Sequence, residues 1–118
     1  MIVEDNDELR NYLSQTLSEE YFVQVCSNGK EALTIIPEYK PELVISDIMM
    51  PEMRGDELCQ AIKNNIETSH IPVILLTALN NEKDILSGLQ IGADEYVVKP
   101  FNIGILKANV ANLLANRA

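Results

Sequence analysis

Leu43-Val44-Ile45-Ser46-Asp47-Ile48-Met49-Met50-Pro51 is the stretch on which the fold turns. Apolar and small residues run without alternation into a carboxylate, and a turn ending in proline follows at once. A short, continuous apolar run suits a strand covered on both faces, as in a parallel sheet between two helical layers. Its last residue, Asp47, would be poorly solvated unless a cation or a hydrogen-bond donor compensates it.

Other apolar runs end in the same way. Ile2-Val3 leads into Glu4-Asp5, Val73-Ile74-Leu75-Leu76 into Thr77, and Tyr96-Val97-Val98 into Lys99-Pro100. Four strand ends would thus carry carboxylates, a hydroxyl and an ammonium, a set of groups suited to phosphoryl transfer. Between them the pattern switches to helical spacing. Strands are predicted over 1–3, 22–26, 43–46, 73–76 and 96–98.

A first helix is capped by Asn6 or Asp7 and carries Leu9, Tyr12, Leu13 and Leu17 inward. A second covers 28–36 and stops ahead of Pro37, with Ala32, Leu33 and Ile36 inward. A third starts near Gly55-Asp56 with Leu58, Ala61 and Ile62. A fourth covers 81–91 and ends at Gly92. The last begins at Asn102, with Ile103, Leu106, Val110, Leu113 and Leu114 on one stripe. Strand and helix alternating five times predict an α/β fold with a doubly wound sheet and right-handed crossovers. Such sheets bind ligands outside the carboxyl ends of their strands, where the strand order reverses.

The chain has 118 residues, enough for one domain with one core, and 47% of them are hydrophobic. A net charge of −9 argues against nucleic-acid binding through phosphate neutralisation. No apolar run is long enough to cross a bilayer and no signal-peptide pattern is present, so a cytoplasmic setting is expected. Cys26 and Cys59 have neither metal-ligand spacing nor a disulfide framework, and Cys26 reads as a buried small side chain. His70 has no spacing partner and reads as a loop residue. Both ends look cut: only residues 1–3 precede Glu4-Asp5, and nothing stops the last helix before Ala118. Residues 1–118 are therefore read as one domain of a longer protein.

Taken in order, Val3-Glu4-Asp5-Asn6, Asp47-Ile48-Met49-Met50-Pro51, Leu76-Thr77-Ala78, Gly92-Ala93-Asp94 and Lys99-Pro100-Phe101 give the chain its resemblance. It resembles the response-regulator receiver domain of bacterial two-component signalling along its whole length. The resemblance implies a flavodoxin-like (βα)5 fold, a five-stranded parallel sheet in the order 2-1-3-4-5. It implies a phosphoacceptor switch that promotes its own phosphorylation and dephosphorylation and is not otherwise an enzyme.

Asp47 would be the phosphoacceptor. Glu4, Asp5 and the backbone carbonyl of Met49 would join Asp47 around Mg²⁺, which takes hard oxygen ligands and relieves the repulsion among crowded carboxylates. Glu4 is one methylene longer than the aspartate common at that place, and direct or water-mediated contact with the ion stays open. Lys99 would pair with Asp47 and then with a phosphoryl oxygen. The resemblance implies a cis Lys99-Pro100 bond, whereas the residues alone favour trans. Thr77 would donate its hydroxyl to the phosphoryl group, with Ala78 leaving room, and Tyr96 would be the switch aromatic. The donor would be a phosphohistidine on a sensor histidine kinase. The readout face would lie on the fourth helix, last strand and last helix, and would meet an output domain or partner.

Further readings concern the rim and the output. Met49 and Leu79 are both apolar beside the path of a hydrolytic water, which predicts a long-lived phosphoryl state. Asn109 and Ala111 stand where winged-helix regulators carry dimerising arginines, and Ile105 lies off the inward stripe. Thr68-Ser69-His70-Ile71-Pro72-Val73 resembles receivers fused to sensor kinases and helix-turn-helix modules, which favours a hybrid host protein. A haloacid-dehalogenase-like phosphatase would need an aspartate where Met49 stands. A flavodoxin-like cofactor binder would need a hydroxyl- or glycine-rich loop in place of Glu4-Asp5. The alternative kept is a receiver-shaped interaction module that is never phosphorylated.

Overall fold

The apolar runs become strands β1 (Ile2–Val3), β2 (Val25–Cys26), β3 (Val44–Asp47), β4 (Val73–Thr77) and β5 (Glu95–Val98) in a computed structural model that describes residues 1–78 and 92–116. They form a parallel sheet in the order β2-β1-β3-β4-β5. The described helices are α1 (Asp7–Leu17), α2 (Gly29–Tyr39), α3 (Gly55–Asn64) and α4 (Ile103–Asn116). The helix predicted over 81–91, and Leu79 before it, lie outside the described residues. None of the described helices is long and apolar enough to cross a membrane.

Successive strand residues face opposite sides, and this explains why the runs do not alternate in polarity. Val3, Val44, Val73 and Leu75 pack with Ala32 and Ile36 of α2 and Leu58, Cys59 and Ile62 of α3. Ile2, Ile45, Ile74 and Leu76 pack on the other face with Leu13 and Leu17 of α1 and Leu106 and Val110 of α4. Every residue of β4 is buried, and each of its Val, Ile and Leu side chains contributes about 1.5–3 kcal/mol by leaving water. Cys26 and Cys59 are free and buried, and burial pushes both thiols up to about 11. His70 is an exposed loop residue.

Local chemistry sets the helix starts. Asn6, not Asp7, caps α1, its side-chain oxygen accepting from the Leu9 N–H at 2.9 Å. Asn28 caps α2 in the same way through the Glu31 N–H at 2.8 Å. Asn102 caps α4, accepting from the Gly104 N–H at 2.7 Å.

Four expectations need correction. α2 does not stop before Pro37 but runs through it to Tyr39 and closes on Lys40, a left-handed residue whose N–H donates to the Ile36 carbonyl at 2.8 Å. Pro37 is exposed within the last turn, where solvent can take over the carbonyl that a proline leaves without a donor. The second strand is shorter than 22–26, covering Val25–Cys26 opposite Ile2–Val3, and Phe22 is 100% exposed. Tyr12 is exposed, since Leu9, Leu13 and Leu17 at four-residue spacing supply the inward stripe of α1. The Lys99-Pro100 bond is cis, against the trans preference of the residues alone.

Gly92-Ala93-Asp94 has a structural role that the sequence reading did not find. Asp94 accepts from Lys63 Nζ at 2.9 Å and from the Val73 N–H at 2.8 Å, both through Oδ2. Lys63 also donates to the Ile71 carbonyl at 2.7 Å. One ion pair therefore ties the end of α3 and the start of β4 to the turn before β5. Asp94→Ala leaves the Val73 N–H without this acceptor and the half-buried Lys63 ammonium without its counter-charge, holding only backbone carbonyls. It is expected to cost about 2–3 kcal/mol in urea unfolding, and a loss under 0.5 kcal/mol would contradict this role.

Candidate phosphoacceptor site

Among the described residues, the buried polar or charged side chains are Glu4, Ser46, Asp47 and Thr77. All of them stand within one residue of the carboxyl end of a strand. β1 lies between β2 and β3, so the strand order reverses beside Glu4 and Asp47, where this sheet type leaves a crevice.

The ladders bring the groups together. Glu4 continues β1, its N–H donating to the Cys26 carbonyl at 3.0 Å. Asp47 closes β3 opposite Leu76, and Thr77 closes β4 opposite Val98, next to Lys99. The Lys99 N–H donates to the Thr77 carbonyl at 2.6 Å, which extends that ladder by one residue. Lys99 Nζ then reaches back across the strand ends to Asp47 Oδ1 at 2.9 Å and Glu4 Oε1 at 3.4 Å. Glu4 Oε2 accepts from the Asn6 N–H at 3.1 Å.

Glu4, Asp5 and Asp47 each offer a carboxylate oxygen, and these oxygens lie within 4.8 Å of one another. Burial pushes the Glu4 carboxyl up; the Asn6 N–H and Lys99 pull the other way, and the charge of Asp47 adds to the rise. For Lys99, burial disfavours the ammonium, but the hydrogen bond and charge of Asp47, followed by Glu4, outweigh it and raise its pKa. Three acids against one ammonium leave surplus negative charge in hard oxygen donors. That donor set fits a small divalent cation.

Two residues that sequence reading did not place hold Asp47. The Ser46 hydroxyl, fully buried, donates to the Asp47 carbonyl at 2.9 Å. Gly55, the first residue of α3, lies against the same carbonyl: a Cβ there would fall 2.0 Å from the Asp47 oxygen. Only the folded loop brings position 55 onto position 47, so no local signal could have flagged that glycine. Met49 lies on the rim and is 59% exposed. Tyr96, half-buried on β5, packs against the core on the α2–α3 side of the sheet. Ile105 is exposed on α4, as its place off the stripe predicts.

Comparison with known proteins agrees with this geometry. Residues 1–111 match the response regulator receiver domain. The chain is 45% identical over 117 residues to Histidine kinase P4 of Formosa agariphila, covering 99% of this chain and 8% of the kinase. It is 43% identical over 115 residues to the "Probable transcriptional regulator ycf27" of Guillardia theta, covering 97% of this chain and 44% of that protein. The chain thus spans less than half of either relative. The solved signal receiver domain of a signal transduction histidine kinase from Syntrophus aciditrophicus superposes with a TM-score of 0.92 at 38% identity, covering 99% of this chain and 91% of that one. The chain belongs to the response regulator receiver domain family of two-component signalling, with an acidic pocket compatible with Mg²⁺ and phosphoryl acceptance.

Proposed function

We propose that Asp47 accepts a phosphoryl group from a phosphohistidine of a sensor histidine kinase, in a Mg²⁺-dependent reaction. The observation that carries this reading is the placement of Asp47, buried to 7% exposure at a strand end and 2.9 Å from the Lys99 ammonium. A carboxylate so placed is costly unless it is paired, and here Lys99 supplies the pairing while holding a cation beside the proposed acceptor oxygen.

Glu4, Asp5, Asp47 and the Met49 carbonyl are the groups proposed to hold Mg²⁺, which when bound neutralises charge on the phosphoryl oxygens. As the Asp47 oxygen bonds to phosphorus, the P–N bond of the donor breaks and its electron pair returns to the imidazole. Lys99 exchanges its carboxylate partner for a phosphoryl oxygen, and the Thr77 hydroxyl donates to another. The added charge, roughly −1.5 to −2, favours one arrangement of Thr77 and Tyr96 over another. The outcome is read on the 81–91 segment, β5 and α4 by an output domain or partner.

The chain is taken as one domain of a longer cytoplasmic protein. The 45% identity to a histidine kinase supports a hybrid kinase host. Its charge of −9 speaks against direct nucleic-acid contact by this segment.

Incubation with acetyl phosphate tests the reading against an interaction module that is never modified. A phosphoryl mass gain is expected with Mg²⁺, none with a chelator, and none in Asp47→Asn under either condition. A wild-type chain that stays unmodified while folded would favour the interaction module.

A further inference from the structure

We propose that Arg10 is a positioning residue for the metal-binding acids, an inference that rests on the reading of Glu4, Asp5 and Asp47 as a cation site. Arg10 is the only lysine or arginine in the first 29 residues, and four of residues 4–8 are acidic. Its side chain is largely buried, with 18% exposure. Nη1 donates to the backbone carbonyl of Glu4 at 2.9 Å, while Nη2 pairs with Asp7 Oδ1. The Arg10 N–H meanwhile donates to the Asn6 carbonyl at 2.9 Å, within the first turn of α1.

The Glu4 carbonyl is the informative acceptor. Beyond Glu4 the chain leaves the sheet, and Arg10 takes that carbonyl as the strand gives way to the turn. The peptide joining Glu4 to Asp5 is planar, so holding its oxygen also sets the direction in which the Asp5 Cα departs. Asp5 is exposed, so packing does not set its position. Glu4 is fixed at its other end through Asn6 and Lys99. The guanidinium fork therefore holds the peptide that joins a buried acid to an exposed one, using two donors at fixed spacing.

Charge alone predicts the opposite of positioning. A guanidinium near the site repels a dication, so its removal should tighten cation binding if Arg10 were a bystander. If it positions Asp5, its removal should weaken binding by about 10-fold, the lower range for loss of groups that orient metal ligands.

The test is direct titration with Mn²⁺, followed by the paramagnetic resonance of the free ion at a temperature where each variant is folded by circular dichroism. Wild type is expected to bind and Asp5→Asn to lose binding; if wild type does not bind, the cation-site reading fails and this inference falls with it. With wild-type binding in hand, Arg10→Met, which keeps the apolar stem, is expected to bind about 10-fold more weakly. Arg10→Lys keeps the charge but not the fork, and is expected to fall between the two. Arg10→Met binding as tightly as wild type, or tighter, overturns the proposal while leaving the cation site intact. Should Arg10→Met fail to fold, Arg10→Lys binding at wild-type strength overturns it equally.

Discussion

Gly55→Ala is expected to be the most damaging glycine-to-alanine change among the described residues, lowering unfolding stability by about 3 kcal/mol in urea. The added Cβ would fall 2.0 Å from the Asp47 carbonyl oxygen and 2.8 Å from its carbon, and both are backbone atoms in a fully packed strand end. A flexible side chain could rotate away, but a paired strand cannot. The Gly55 N–H also donates to the Ile48 carbonyl at 2.9 Å, so α3 cannot back off without breaking the turn after Asp47. Whatever relief the structure finds moves Asp47, and phosphoryl uptake should fall along with stability. Gly29→Ala is the control: its Cβ would meet the Met53 carbonyl at 2.8 Å, a longer approach than at Gly55 and to a residue outside any strand or helix. Its cost should be the smaller of the two. Equal and small losses for both would show that the 47–55 contact is softer than its distances indicate.

Lys99→Met is expected to move two measurements in opposite directions. The ammonium is 2.9 Å from Asp47 and 3.4 Å from Glu4, and it is the positive group paired with the acid cluster at this site. Removing it leaves three carboxylates with no balancing charge, so divalent-cation affinity should rise. The phosphoryl group, however, loses a preorganised donor. Loss of one such donor typically slows the chemical step by about 100-fold to 1000-fold. The expected result is tighter Mn²⁺ binding together with uptake from acetyl phosphate slowed by at least about 100-fold. A variant that takes up phosphoryl at the wild-type rate would remove Lys99 from the mechanism.

How much of this was legible beforehand differs between fold and site. The order of elements was, because strands buried on both faces leave unbroken apolar runs such as Val73–Thr77, and helices buried on one face leave a stripe such as Leu9, Leu13 and Leu17. Boundaries were less so. Pro37 reads as a stop, yet in an exposed last turn its missing N–H costs little; Tyr12 reads as part of the inward stripe, yet Leu9, Leu13 and Leu17 already fill that face.

In the site, the groups that carry charge were visible as polar residues closing apolar runs. The groups that hold them were not. Gly55, Ser46 and Arg10 act on Asp47 and Glu4 through backbone carbonyls, and a carbonyl carries no residue-specific mark in the sequence. Lys63 and Asp94 are 31 positions apart and meet only in the folded chain.

The most direct measurement is to locate the acceptor by reduction. Borohydride converts an aspartyl phosphate to homoserine, and peptide mass spectrometry then reads the position. After incubation with acetyl phosphate and Mg²⁺, homoserine is expected at position 47 and nowhere else, and in no sample prepared with a chelator. Homoserine at position 5 or 56, or its absence from a folded chain that has gained phosphoryl mass, would contradict the account.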